Sequence, residues 1–190
     1  TEGLDKNIVL RDNVFTWIGD TPKDWKLGYL KYFVENITDG AHISPDTSKR
    51  DKCFVSTVDL KNGLIDFENC LKTSLESYNY LVKTGCKPQK DDILFSKDGT
   101  IGKTSIVGNE DFVVASSLVI IRPNKLKVFP EFLELVLQSN FVIEQIVSVV
   151  KGAALRRISL KNINRISVLI PSLNKQKEIS TSLKEKTFKI

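Results

Sequence analysis

A chain of 190 residues, 41% hydrophobic and 27% charged, is long enough to bury one good core and too short for a multi-domain enzyme. The same balance excludes the disordered and membrane classes. The net charge of +5 is unevenly spread: residues 151–190 hold ten Lys and Arg against two acids, whereas residues 1–150 hold 18 against 21. The basic C-terminal part suits phosphates or an acidic partner as well as a solvated helix face. No run approaches the roughly 18–20 apolar residues of a membrane span, and Thr1-Glu2-Gly3-Leu4 lacks a basic and apolar signal, so no membrane is expected and the location is read as cytoplasmic. The absence of methionine suggests a piece of a longer reading frame. Cys53, Cys70 and Cys86 fit neither a disulfide framework nor a CxxC knuckle and are read as inert thiols.

In chain order, residues 1–27 read as a lead-in pinned by Trp17 and Trp25. Tyr29 to Ile37 suits a strand, Asp39-Gly40-Ala41-His42 with Pro45 an irregular loop, and Phe54 to Val58 a strand near the Asn62-Gly63 turn. Thr73-Ser74-Leu75-Glu76 matches a capping box with Thr73 as its hydroxyl, ahead of a short helix to about Lys83 that Gly85 stops. Ile93-Leu94-Phe95, the turn Lys97-Asp98-Gly99 and Thr104 to Val107 form a hairpin, and Phe112 to Ile121 reads as one long strand. Pro130 opens a helix with Phe132, Leu133, Val136 and Leu137 at helical spacing, and a second helical run spans Phe141 to Val150. Ile166 to Ile170 is a closing strand. Ile179, Leu183 and Ile190, at spacings of four and seven, then mark a long helix that leaves the globule. The expected fold class is α+β: one mixed domain with many short strands, followed by the start of a long C-terminal helix.

Several stretches look chemical and fail on spacing. Gly99-Thr100-Ile101-Gly102-Lys103-Thr104 has two residues between its glycines where a phosphate loop needs four. Pro45-Asp46 with Asp59-Leu60-Lys61 fits the permissive Mg²⁺ nuclease pattern, but Lys61 runs straight into the Asn62-Gly63 turn. His42 is the single histidine. Neither the H-x-E and CxxC of a base deaminase nor the Pro-Pro motif of a DNA methyltransferase occurs. No catalytic residue, metal or cofactor is expected.

The ordered short motifs carry more. Trp17-Ile18-Gly19-Asp20 and Pro22-Lys23-Asp24-Trp25 are followed by Asp39-Gly40-Ala41-His42 and Val58-Asp59-Leu60-Lys61-Asn62-Gly63. Asp92-Ile93-Leu94-Phe95 with Ser96-Lys97-Asp98-Gly99, Ile158-Ser159-Leu160, and Ile170-Pro171-Ser172-Leu173 with Gln176 and Ile179 complete the series. Over nearly the whole chain this series resembles one target recognition domain of a type I restriction-modification specificity (S) subunit, and the lead-in favours the second of its two such domains. The departure is Ala41, where the family usually has another residue before the histidine.

The resemblance implies a recognition domain over residues 28–170 and the truncated start of a conserved helix over 171–190. It implies double-stranded DNA as ligand, with one half of a bipartite site read for methyltransferase (M) and restriction (R) subunits. Lys and Arg at phosphates would set register, and groups that both donate and accept would read base edges. The phosphate candidates are Lys49, Arg50, Lys52, Lys97, Lys103 and Lys151; the base-edge candidates are His42, Ser44, Asp98, Thr100, Arg156 and Arg157. Ile179, Leu183 and Ile190 would pack on a partner helix. The alternatives are an Mg²⁺ nuclease built on Asp46, Asp59 and Lys61, and a basic module that binds an acidic protein.

Overall fold

The computed structural model describes residues 10–11, 21–49, 51–150 and 157–187. Expectations for Trp17, Arg50, Lys151, Arg156 and Ile190 lie outside the described residues. The strands are β1 (Leu10–Arg11), β2 (Thr21–Pro22), β3 (Lys26–Tyr29), β4 (Val34–Asp39), β5 (Lys52–Val55), β6 (Leu60–Lys61), β7 (Leu64–Ile65), β8 (Leu71–Thr73), β9 (Ile93–Ser96), β10 (Thr104–Ile106), β11 (Phe112–Val114), β12 (Leu118–Pro123) and β13 (Ser167–Ile170). The helices are α1 (Leu75–Lys83), α2 (Pro130–Gln138), α3 (Asn140–Val150), α4 (Leu160–Asn164) and α5 (Leu173–Thr187). The chain is a mixed α+β domain with many short strands.

The centre is a sheet of order β10-β9-β12-β4, all antiparallel. Its inner strands are apolar on both faces because both faces are covered. Ile93 and Phe95 of β9, with Val119 and Ile121 of β12, join the cluster of Phe132, Leu133, Leu137, Val142 and Ile146 from α2 and α3. Leu94, Leu118 and Ile120, one residue out of phase, pack with Val55, Phe112 and Val114 of a second sheet, β11-β5-β8. Strand alternation sends successive side chains to opposite layers. The far face of the second sheet is closed by Tyr78 and Leu81 of α1 against Phe54 and Val113. Phe95 is fully buried, and its truncation to alanine is expected to cost about 3–5 kcal/mol.

Local rules explain most boundaries. Asn62 and Gly63 take φ of 52° and 78° and join β6 to β7, the left-handed pair that a tight hairpin requires. Pro130 occupies the first turn of α2, where its missing N–H costs nothing. α1 ends in Gly85 at φ 84°, with Cys86 N donating to Leu81 O at 2.9 Å and Gly85 N to Val82 O at 3.1 Å. Among the described residues, no single helix is long and apolar enough to cross a membrane.

The structure corrects several sequence expectations. Tyr29 to Ile37 is not one strand: β3 pairs with β13, a 3-10 turn at Leu30–Tyr32 reverses the chain, and β4 enters the central sheet. That turn buries Leu30 completely while its N–H donates to Ile166 O at 2.8 Å. β3 itself begins at Lys26. Phe112 to Ile121 divides into β11 and β12 of different sheets: Ala115 N still donates to Val55 O in the parallel pairing of β11 with β5, Leu118 N then turns back to Ala115 O, and β12 pairs with β9 and β4 instead. The cap of α1 is Ser74, whose side chain accepts from Ser77 N, while the Thr73 hydroxyl donates to Asp46 O at 2.9 Å. A capping box does occur, at Ser56 and Asp59.

Candidate nucleic-acid interface

Hydrogen-bond register gathers the polar loops. Asp39 at the end of β4 pairs with Val119, Ser96 at the end of β9 pairs with Leu118, and Thr104 at the start of β10 faces Phe95. The segments after β4, between β9 and β10, and before β12 therefore leave one end of the central sheet. Gly40 makes the first of these possible: a Cβ there would stand 2.0 Å from the Ala115 carbonyl oxygen. Ala41 then bridges to Ala115, and exposed His42, Ile43 and Ser44 follow. The hairpin turn is tied by Ser96 Oγ, which donates to Thr100 O at 2.6 Å and accepts from Lys103 N at 2.8 Å, leaving Thr100 exposed.

Charges at this end come in compensated sets. Lys97 Nζ lies 2.6 Å from Asp39 Oδ1, and His42 Nε2 lies 3.4 Å from Oδ2 of the same carboxylate. The Lys97 side chain is only 8% exposed, which makes it a buried partner of Asp39 rather than a free cation. Arg157 meets Asp98 side-on, Nε donating to Oδ1 at 2.6 Å and Nη2 to Oδ2 at 2.9 Å. Their backbones also bridge, and Ile158 N donates to Lys97 O at 3.0 Å. Thus His42, Ser44, Lys97, Asp98, Thr100, Lys103 and Arg157 lie on segments that meet at one end.

The side chains of the phosphate candidates Lys52 and Lys103 are engaged away from these pairs. Lys52 opens β5, whereas Val55 at the strand's other end lies against Ala115. Lys52 Nζ stands 2.5 Å and Lys87 Nζ 2.6 Å from the Asp111 carboxylate, which also accepts from the Tyr78 hydroxyl. Lys52, then Lys87 and Tyr78, hold the Asp111 carboxyl well below the usual carboxylate range. Asp111 in turn raises the lysine values. Two cations on one anion leave a net positive spot. Lys103 Nζ donates to Leu60 O at 3.2 Å at the edge of a cleft of about 500 Å³ lined by Asn62, Gly63 and Gly102.

The residues of the nuclease pattern are occupied structurally. Buried Asp59 accepts from Ser56 N at 2.7 Å and Ser56 Oγ at 2.9 Å. Asp46 accepts from Ser48 N at 2.8 Å, and Lys61 pairs with Asp66 at 2.6 Å. Among the described residues, no three His, Cys, Asp or Glu could hold a metal ion together. Burial, then the neighbouring Cys53 thiol, pushes the Cys70 thiol up to about 12.

Sequence reasoning passed over three residues of these surfaces. Asp39 lay inside a quoted motif but organises Lys97 and His42. Tyr80, 51% exposed on α1, lines a cleft of about 470 Å³ with His42, Ile43 and Leu160. Its place opposite buried Tyr78 and Leu81 on an amphipathic helix was the available signal. Lys87 follows the helix cap, with no local pattern to single it out.

The family model of the type I restriction modification DNA specificity domain matches residues 22–187. This chain belongs to that family. It is 26% identical over 183 residues to a protein assigned as the MjaX type I restriction enzyme specificity subunit of Methanocaldococcus jannaschii, covering 90% of this chain and 41% of that one. It is 26% identical over 162 residues to the EcoBI type I restriction enzyme specificity subunit of Escherichia coli, covering 83% and 34%. In structure it is similar to the HsdS subunit from Thermoanaerobacter tengcongensis, with TM-score 0.59, 16% identity and coverage of 90% and 39%. The S subunit from M. genitalium gives TM-score 0.62, 13% identity and coverage of 96% and 40%. The chain spans about two fifths of the length of these proteins or less.

The C-terminal helix of this specificity domain does not simply leave the globule. Gln176 and Ser180 are buried, and Ile179 packs on the domain's own core, because α5 lies along α2. Ile179 is thus half-buried within the domain. Leu183, one turn further on, is 42% exposed.

Proposed function

We propose that this chain reads one half of a bipartite double-stranded DNA site and carries no catalytic centre, placing M and R subunits that act on the DNA. The observation that carries the reading is the convergence of the loops after β4 and β9 with Arg157 at one sheet end, in a chain of the specificity family. The compensated pairs there suit base edges, which are neutral and directional. Lys52 and Lys87 around Asp111, with Lys49 and Lys103, suit phosphates. Coverage of about 40% of each S subunit leaves room for a second domain to read the other half.

The test is selection by the purified chain from a pool of randomised DNA duplexes. A short enriched motif is expected, with binding that weakens steeply as salt rises. Recovery of no motif contradicts the reading. Cutting of plasmid with Mg²⁺, abolished by Asp59→Ala, would favour the nuclease instead.

A further inference from the structure

A guanidinium has five N–H donors in one plane, arranged so that its side edge and its end edge each present a parallel pair. Asp98 takes the side edge of Arg157 through Nε and Nη2. One N–H on Nη1 and the second N–H on Nη2 remain on the end edge, directed away from Asp98, and the Arg157 side chain is 63% exposed. The fork is held from both ends of the residue. Its backbone bridges to Asp98, the following N–H donates to Lys97 O, and Lys97 is anchored on Asp39. A long side chain that ordinarily loses much rotamer freedom on binding is thus fixed beforehand.

Two kinds of acceptor pair on DNA fit such an edge: the oxygens of one phosphate, and O6 with N7 of guanine in the major groove. Charge decides between them. Among the described residues of this hydrogen-bonded set, Lys97 and Arg157 stand with Asp39 and Asp98, two cations against two carboxylates, so the set attracts a phosphate weakly and its carboxylates repel one. A neutral acceptor pair pays no such penalty and gains from donors already aimed. Resting on the DNA-reading proposal above, we infer that Arg157 is a guanine-reading residue and Asp98 its positioning residue, so that one base pair of the half-site is G·C with the guanine edge on Arg157.

The experiment is the same duplex selection, followed by binding of the recovered duplex, with wild type, Arg157→Ala, Arg157→Lys and Asp98→Asn. Thermal unfolding of each variant is measured alongside. One guanine column is expected to lose its preference in Arg157→Ala and Arg157→Lys, by about 5- to 150-fold, while other columns persist. Lysine keeps the charge but not the fork, so its failure to substitute separates base from phosphate contact. Asp98→Asn is expected to weaken the same column and to steepen the salt dependence by about one unit of slope, because the arginine charge is no longer compensated. Replacing that guanine by 7-deazaguanine, which lacks N7, is expected to weaken wild type and leave Arg157→Ala unaffected.

Equal weakening of every column by Arg157→Ala with retention by Arg157→Lys would make the residue a phosphate clamp and overturn the inference. A lowered unfolding temperature with unchanged base preference would make the pair a strut and overturn it as well. In both cases the motif survives and half-site reading stands; if no motif is recovered, both fall.

Discussion

Gln176 of α5 reaches back 47 residues to accept a hydrogen bond from Phe129 N at 2.7 Å. Its amide nitrogen donates to Lys127 O at 3.1 Å and Pro171 O at 2.8 Å. A fully buried side chain therefore satisfies three backbone groups where the C-terminal helix leaves the last strand, and it fixes the helix against the N-terminus of α2. Gln176→Leu is expected to cost about 2–3 kcal/mol, since the stranded groups lose partners without gaining water. Urea denaturation followed by circular dichroism measures it. A loss below about 0.5 kcal/mol would mean the helix is not held by this contact.

A second buried polar contact ties β12 to the turn before β9. Asp92, 2% exposed at its side chain, receives Nε of Arg122 at 2.9 Å and Nη2 at 2.8 Å, and also accepts from Gln89 N at 2.8 Å. Arg122→Ala leaves a buried carboxylate without its cation and is expected to cost about 3–5 kcal/mol. Denaturation of Arg122→Ala beside Asp92→Asn/Arg122→Met is informative, because the neutral pair is expected to recover much of the loss.

Glu134 is half-buried on α2 with Thr104 Oγ1 donating to it at 3.2 Å, and desolvation raises its pKa. An acid whose folded value is raised stabilises the fold below its unfolded value and loses that contribution as pH rises through the folded one. Glu134→Gln is expected to raise the unfolding temperature at pH 7 and to leave it unchanged at about pH 4, near the ordinary carboxylate value. Calorimetry at the two pH values checks it.

Asp66 has the opposite sign. Lys61, then Asn69, lower its carboxyl from the usual value to about 2. Its contribution is present above the unfolded value near 3.8 and is lost as pH falls through about 2. The unfolding temperature of Asp66→Asn is expected to lie below wild type at pH 7, with the difference closing between about pH 4 and 2. Its partner Lys61 is exposed, so the difference is small and shrinks with salt.

What the sequence disclosed followed local rules. Asn62-Gly63, Pro130 and Gly85 act through their own backbone, and their roles read directly from residue type. The helices α2 and α3 declared themselves by apolar spacing. The break at Ala115-Ser116-Ser117 did not, because it depends on which distant strands its two sides pair with, β5 for β11 and β9 and β4 for β12. The short helix α4, capped by Ser159 Oγ accepting from Asn162 N at 3.2 Å, was too brief to show a period. At the candidate interface, the resemblance pointed to candidates between His42 and Lys52, between Lys97 and Lys103, and at Lys151, Arg156 and Arg157, but partners across them were invisible. Lys97 reads as a free cation until Asp39 is found beneath it, and Asp98 reads as turn chemistry until Arg157 is found on it. The same long-range packing gives Ile179 contacts with the domain's own core that its helical spacing alone does not reveal.

The central claim is that this chain by itself sets the identity of one half-site. Residues 28–160 contain the loops at the sheet end, whereas α5 lies outside that span and is held by Gln176. Replacing 28–160 in an intact specificity subunit with the matching span of a relative, then sequencing methylated genomic DNA from cells that carry it, measures this directly. The expected result is a change in one half of the methylated site, with the other half and the spacer between them unchanged. A swap that altered both halves, or altered the spacer while preserving both halves, would contradict the account.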